Sequence, residues 1–211
     1  MPNLLKIDVS PRGGHSISRA LGTIFATAWS EHHADGKLIE RDLARTDLPF
    51  VELPWIMAAY SDSATHDAEQ RAALAIGNDL IAELKSADQW LITTPMYNFA
   101  IPARLKAYID HIVRSGQTFK TNADGSFTGL LKGKKVTVIV ASAGEYTTGS
   151  PTEAYDDVKP YLTRILSVIG VTDVTFVQAG STWKVDGGIA DREAYLASHS
   201  DLVALLATPR K

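Results

Sequence analysis

The sequence predicts a single α/β domain over residues 1–211: a five-stranded parallel sheet of order 2-1-3-4-5 with helices on both faces. Three observations predict it. Short apolar runs alternate with helical periodicities five times along the chain. The runs are rich in Val, Ile and Leu, as strands covered on both faces are. The 211 residues contain no linker, repeat or low-complexity segment, and one core suffices for a chain of this length.

Leu4–Val9 reads as a buried strand running into the polar loop Ser10–Ser18. From Ser18, Leu21, Ile24, Phe25, Ala28 and Trp29 recur at helical spacing. Asp35-Gly36 turns the chain into a second strand, Leu38–Leu43. Residues 46–65 read as an irregular loop placed to cover a cleft. A helix follows over Asp67–Ser86, then a third strand, Trp90–Thr94, stopped by Pro95. Pro102 suits the first turn of the next helix, whose apolar face is Leu105, Tyr108, Ile109, Ile112 and Val113. Phe119–Phe127 brackets the turn Asn122-Ala123-Asp124-Gly125. Val136–Ala141 is the fourth strand, a helix runs from Val158 to Ile169, Val171–Val177 is the fifth strand, and Ala190–Leu206 is the last helix.

Composition excludes several chemistries. Without cysteine there is no disulfide scaffold, thiolate nucleophile or cysteine-ligated metal. A formal net charge of -3 with no basic block argues against a nucleic-acid partner. No run approaches the ~20 apolar residues of a membrane helix, so a cytoplasmic protein is expected. His32-His33 reads as a solvated helix end, because adjacent positions do not share a helix face, and no metal site is expected.

Open sheets of this order bind ligands beyond the carboxyl ends of their strands. Three loops lie there. Ser10-Pro11-Arg12-Gly13-Gly14-His15-Ser16-Ile17-Ser18 opens a helix, so free N–H groups, the positive dipole end and three hydroxyls suit a phosphate monoester. Its glycine spacing matches neither the dinucleotide fingerprint nor the Walker A loop. Ser18 as a plain helix cap accounts for the same residues. In the second loop, Pro95, Met96, Tyr97, Asn98 and Phe99 offer aromatic, thioether and amide groups to a flat ligand; Tyr97 and Phe99 as core anchors is the other reading. The third, Ser142, Ala143, Gly144 and Glu145, is small enough for backbone to approach a ring edge.

On these residues the chain resembles the FMN-dependent NADH:azoreductase and NAD(P)H:quinone oxidoreductase family of flavodoxin-like proteins. The most specific part is Pro95-Met96-Tyr97-Asn98-Phe99, followed by Ile101-Pro102, Leu105-Lys106 and Asp110. Ser10-Pro11-Arg12 with Ser16-Ile17-Ser18 resembles the family's phosphate loop, and Gly116, Thr118-Phe119, Gly129-Leu130, Gly133-Lys134-Lys135 and Gly170-Val171-Thr172-Asp173 also match.

The resemblance implies a homodimer that binds FMN, takes electrons from NADH or NADPH, and reduces a quinone or azo compound in ping-pong fashion by hydride transfer through the flavin. Ser10, Ser16, Ile17 and Ser18 would hold the phosphate, Pro95 to Phe99 the ring, and Ser142 to Glu145 its pyrimidine edge. Phe119 would lie over the partner's substrate space. Glu145 departs from the family, which has a second glycine there. Arg12, Arg19 and Arg114 are the candidate contacts for a 2′-phosphate, and no side chain is singled out as a catalytic acid. A flavodoxin-type electron carrier without its own substrate is the alternative function.

Overall fold

A computed structural model describes residues 1–208. Five strands form one parallel sheet: β1 (Asn3–Asp8), β2 (Lys37–Asp42), β3 (Gln89–Pro95), β6 (Lys135–Ala141) and β7 (Asp173–Ala179). Their order is β2-β1-β3-β6-β7, which, counting these five alone, is 2-1-3-4-5. The two intervening strands, β4 (Phe119–Thr121) and β5 (Phe127–Gly129), pair only with each other as an antiparallel hairpin.

The alternation of each strand divides the core into two layers. Leu5, Ile7, Trp90, Ile92, Val136 and Val138 face α3 (Ala68–Ser86), α4 (Ala103–Ile112) and α5 (Val158–Val168). Leu4, Leu91, Ile139 and Val177 face α1 (Ile17–His32) and α7 (Arg192–Ala207). Because successive strand residues point to opposite faces, Lys6 and Asp8 turn toward the α1 side with Leu4, where they form a buried ion pair at 2.6 Å.

Helix starts follow their caps. Asp67 and Gln70 make a reciprocal capping box at α3, and Asp191 accepts from the Ala194 N–H to start α7 two residues later than the periodicity predicts. The fifth strand likewise starts later, at Asp173. Gly170, at φ +100°, and Val171 are used in the turn that ends α5, where the Val171 N–H reaches the Leu166 carbonyl.

Two short helices escape the sequence reading. Residues 46–65 contain α2 (Leu53–Ala59) and a 3₁₀ turn over Ser63–Thr65. Leu53-Pro54-Trp55-Ile56-Met57-Ala58-Ala59 is apolar all round, so it carries no helical stripe to read. The other, α6 (Trp183–Asp186), is a single turn.

Tyr108 is buried in the larger layer, and its hydroxyl has no hydrogen-bond partner among the described residues. Burial, with Glu83 nearby, raises its pKa above the usual phenol range. An unmatched buried hydroxyl costs more than it contributes, so Tyr108→Phe is expected to stabilise the fold by about 1 kcal/mol. A higher denaturant midpoint at unchanged slope is the check; a lower midpoint would contradict it.

Candidate functional site

The carboxyl ends of β1, β3 and β6 converge on a cavity of about 200 Å³ lined by Ser10, Arg12, Ser16, Ile17, Ser18, Pro95, Met96, Tyr97, Ala141, Ala143, Thr182 and Asp186. Of the sequence-predicted residues, all four of the first loop line it. So do Pro95, Met96 and Tyr97 of the second and Ala143 of the third.

The first loop supplies the polar end. Ser16 caps α1, its hydroxyl accepting from the Arg19 N–H at 3.3 Å. Ser18 is therefore not the cap. It sits one residue inside the first helical position, fully buried, with its hydroxyl 3.2 Å from that of Ser16. Ser10 is buried as well, and its hydroxyl accepts a 3.3 Å bond from the Arg12 N–H. The N–H groups of Ile17 and Ser18 precede any intrahelical acceptor and lie at the positive dipole end. Three buried hydroxyls, bonded weakly to one another or to a single N–H, thus face one cavity. That donor set fits a phosphate monoester.

The loop is braced from outside. Arg192 donates to the Gly14 carbonyl at 3.0 Å, and Arg12 makes a two-point ion pair with Asp186, at 2.7 and 3.0 Å, across the cavity. The hydrogen bond from Arg12 holds the Asp186 carboxyl below the usual carboxylate range. Thr182 and Asp186 follow β7, the first as the cap of α6 and the second as its last residue. They are missed in the sequence because the strand-order rule points only to β1, β3 and β6, and 174 residues separate Arg12 from Asp186. Gly180-Ser181-Thr182, a polar run closing a strand, is the signal that was there to be read.

The second loop forms a ledge. Tyr97 and Ala100 exchange backbone hydrogen bonds at 3.0 and 3.1 Å around a two-residue turn, in which Asn98 (φ 48°) and Phe99 (φ 69°) are both left-handed. A bulky aromatic at positive φ is a strained position of the kind that collects at functional sites. The turn leaves Tyr97 43% and Phe99 47% exposed. They are not core anchors. Asn98 and Phe99 lie beyond the cavity lining, with Phe99 packed against Tyr146 and Tyr155 in an exposed aromatic cluster.

In the third loop, Ser142 is buried, its hydroxyl donating to the Gly144 carbonyl at 3.0 Å, while Gly144 accepts from the Ser181 N–H at 3.0 Å. Glu145 has a negative φ, so its replacement of glycine leaves no backbone strain. Its carboxylate turns toward Gly180 and Ser181, accepting from the Ser181 hydroxyl at 3.4 Å, outside the cavity. Burial, and then the Glu145 charge, push the nearby Tyr195 phenol up to about 12.

Phe119 is half-buried in β4, edge-on to Phe127 at 5.4 Å. It pairs with Gly129, which abuts Gly170 ahead of β7, at the end of the sheet away from the cavity. It does not serve the cavity of its own chain. Arg19 and Arg114 are both engaged internally, with Asp42 and Asn78 respectively. His32 and His33 bond to helix carbonyls, and no metal-binding cluster occurs among the described residues.

A family model described as a flavodoxin-like fold matches residues 2–203. An FMN-dependent NADH:quinone oxidoreductase of Burkholderia lata is 43% identical to this chain over 99% of it and 98% of the relative. The chain belongs to this family of flavodoxin-like oxidoreductases. A second member, from Jannaschia sp., is 44% identical over 97% of this chain and 98% of its own. Among solved structures, an azoreductase from Bacillus anthracis superposes with a TM-score of 0.86 at 25% identity, covering 98% of this chain and 99% of that one. An FMN-dependent NADH-azoreductase from the same species, solved with FMN, superposes equally well over 98% of each chain. FMN is thus the cofactor the family implies, and the serine cradle and aromatic ledge fit it. Among the described residues no helix is long and apolar enough to cross a membrane.

If Glu145 tuned the cofactor through its charge, Glu145→Gln would raise the midpoint potential. With the carboxylate exposed and turned to Ser181, the expected shift is about 20 mV or less for a two-electron couple, the scale of an exposed charge pair. Potentiometry of the loaded protein checks this, and a larger rise would show that the charge does reach the ring.

Proposed function

We propose that this chain is a cytoplasmic FMN-dependent NADH:quinone oxidoreductase that also accepts azo compounds, acts by ping-pong hydride transfer, and works as a homodimer. The carrying observation is the single cavity that joins the buried Ser10, Ser16 and Ser18 hydroxyls to the exposed Tyr97 ledge.

Bound FMN supplies reversible hydride chemistry that no side chain here has. The protein's share is placement. The serine hydroxyls and the N–H groups at the start of α1 hold the phosphate, and Met96 and Tyr97 give the ring an apolar wall. Phe99, Tyr146 and Tyr155 offer a planar donor or acceptor a surface to stack on. One open ledge serves one planar partner at a time, which favours alternating use by nicotinamide and acceptor. The titratable groups lining the cavity are Arg12, Tyr97 and Asp186, and the two ionic ones are paired. Solvent is then the proton source.

The arginines support NADH as donor. Arg19 and Arg114 are held inside the fold and Arg12 is paired with Asp186, so a 2′-phosphate would have to compete with an existing partner at each of the three candidates. A second copy of the chain is supported by the apolar surface at Phe50 (75% exposed), Leu53 (68%), Met57 (56%) and Tyr60 (82%). In that assembly Phe119 faces the partner's cavity.

The test has two steps. Flavin released from the purified protein is identified by chromatography, then NADH oxidation is followed with a benzoquinone, with an azo dye and with neither. FMN, acceptor-dependent turnover and a sedimenting dimer are expected. Stoichiometric FAD, or NADH oxidation that no acceptor accelerates, would overturn the reading and favour an electron carrier.

A further inference from the structure

Arg19 is the third residue of α1, and its position is unusual for a charged side chain, since only 16% of that side chain is exposed. Its guanidinium donates through Nε to the Ser10 carbonyl at 2.7 Å and through both terminal nitrogens to Asp42, at 3.0 and 2.5 Å. It also lies 3.4 Å from Asp8. Its own N–H is the donor to the Ser16 hydroxyl. One residue therefore holds two of the three cradle serines, one through its backbone and one through its side chain.

The surrounding charges explain why an arginine is needed. Asp8 ends β1 and Asp42 ends β2, so two carboxylates lie just behind the loop that must receive a phosphate. Burial disfavours the ionised form of Asp42, but hydrogen bonds from Arg19 and the Ala44 N–H outweigh it and keep its pKa low. Lys6 neutralises part of Asp8, which also accepts from the Thr93 hydroxyl at 2.6 Å. Arg45, the other cation near Asp42, is 89% exposed and 3.6 Å away, so it screens weakly. Without Arg19, Asp8 would keep only Lys6 and Asp42 only the exposed Arg45, leaving the side of the cradle toward the strands more negative.

We infer that Arg19 is a positioning residue for the cofactor phosphate, anchoring the Ser10 carbonyl and shielding the cradle from Asp8 and Asp42. The planar fork matters because Nε and the two terminal nitrogens bond to different elements at fixed angles; an ammonium cannot reproduce that arrangement. Arg19 touches no reacting atom. Its contribution is confined to the phosphate end, so it separates FMN from riboflavin, which shares the ring and ribityl chain but lacks the phosphate.

This inference rests on the FMN reading, and the experiment keeps the two apart. Flavin-stripped wild-type protein is titrated with FMN and with riboflavin; a strong preference for FMN supports the cradle itself, and equal affinity would remove it. Arg19→Gln is then expected to lower FMN affinity roughly 10- to 100-fold, the scale of a lost charge-assisted hydrogen bond, with riboflavin affinity nearly unchanged. The loss should shrink as salt rises, because the uncovered carboxylates are then screened. Adding Asp42→Asn to Arg19→Gln should recover part of the FMN preference. Arg19→Lys, which keeps the charge and loses the fork, should lose less, and it decides the matter if Arg19→Gln does not fold. Equal loss of both flavins, or an unchanged FMN-to-riboflavin ratio in every folded variant, would overturn the inference.

Discussion

Ser18→Asp is expected to abolish FMN retention in a protein that still folds. Ser18 is fully buried along the cavity wall, so the new carboxylate can point only into the cavity. It would stand among the donors that the phosphate needs, in a space of about 200 Å³. The fold tolerates the change for two reasons. Ser16, not Ser18, caps α1, so the cap survives. An anion in the first helical turn is itself favoured by about 0.3–1 kcal/mol through the helix dipole. The same dipole therefore serves the substituted carboxylate instead of the cofactor. FMN affinity should fall on the order of 100-fold or more, since each charge-assisted bond to phosphate is worth about 1.5–3 kcal/mol and like charges are added. Fluorescence titration of the folded variant reads the loss directly. Wild-type affinity would mean that the phosphate sits elsewhere.

The sheet was legible because its physics is local. Leu4–Val9, Trp90–Thr94 and Val136–Ala141 are apolar runs that only a doubly covered strand explains, and their spacing by amphipathic segments dictates parallel crossovers. The cradle was legible for the same reason, because a polar loop between such a strand and a helix presents its N–H groups wherever it occurs. The ambiguity at Ser18 was also local. Whether Ser18 is a plain cap or a phosphate ligand depends on where the helix begins, and the structure begins it at Ile17 with Ser16 as the cap.

What escaped depends on distance in sequence or on the backbone at single residues. Nothing marks Arg12 for Asp186, or Arg19 for Asp42, until the loops after β1, β2 and β7 are folded together. A left-handed Phe99 runs against residue preference, so no sequence rule predicts the turn that exposes Tyr97. Burial of both aromatics was the ordinary expectation, and the strained turn overrides it. The same is true of Glu145. Its identity as a departure was visible, but its orientation toward Ser181 depends on the loop after β7.

The second large effect is expected at Gly129, remote from the cavity. Gly129 has an ordinary φ, so what it supplies is lack of a side chain. A Cβ there would lie 2.1 Å from the Gly170 nitrogen and 2.2 Å from its Cα. Both obstacles are backbone, and both are pinned. Gly170 belongs to the turn that ends α5, and the Leu131 N–H bonds to the Ile169 carbonyl at 2.8 Å. Relief requires the hairpin and that turn to part by more than about 1 Å, because carbon contacts are favourable only near 3.5–4.0 Å. Gly129→Ala should therefore lower stability by about 2–3 kcal/mol, the scale of overpacking a rigid site. Phe119 pairs directly with Gly129, so it moves with the hairpin. The serine cradle, at the other end of the sheet, does not. A lower denaturant midpoint is expected together with FMN affinity within about threefold of wild type, since distant sites are nearly independent. If Phe119 serves the partner's cavity, quinone turnover falls as well, and Phe119→Ala should reproduce that fall without the full loss of stability. A Gly129→Ala protein as stable as wild type would show that the hairpin is free to shift, and its rigid contact with Gly170 would lose its meaning.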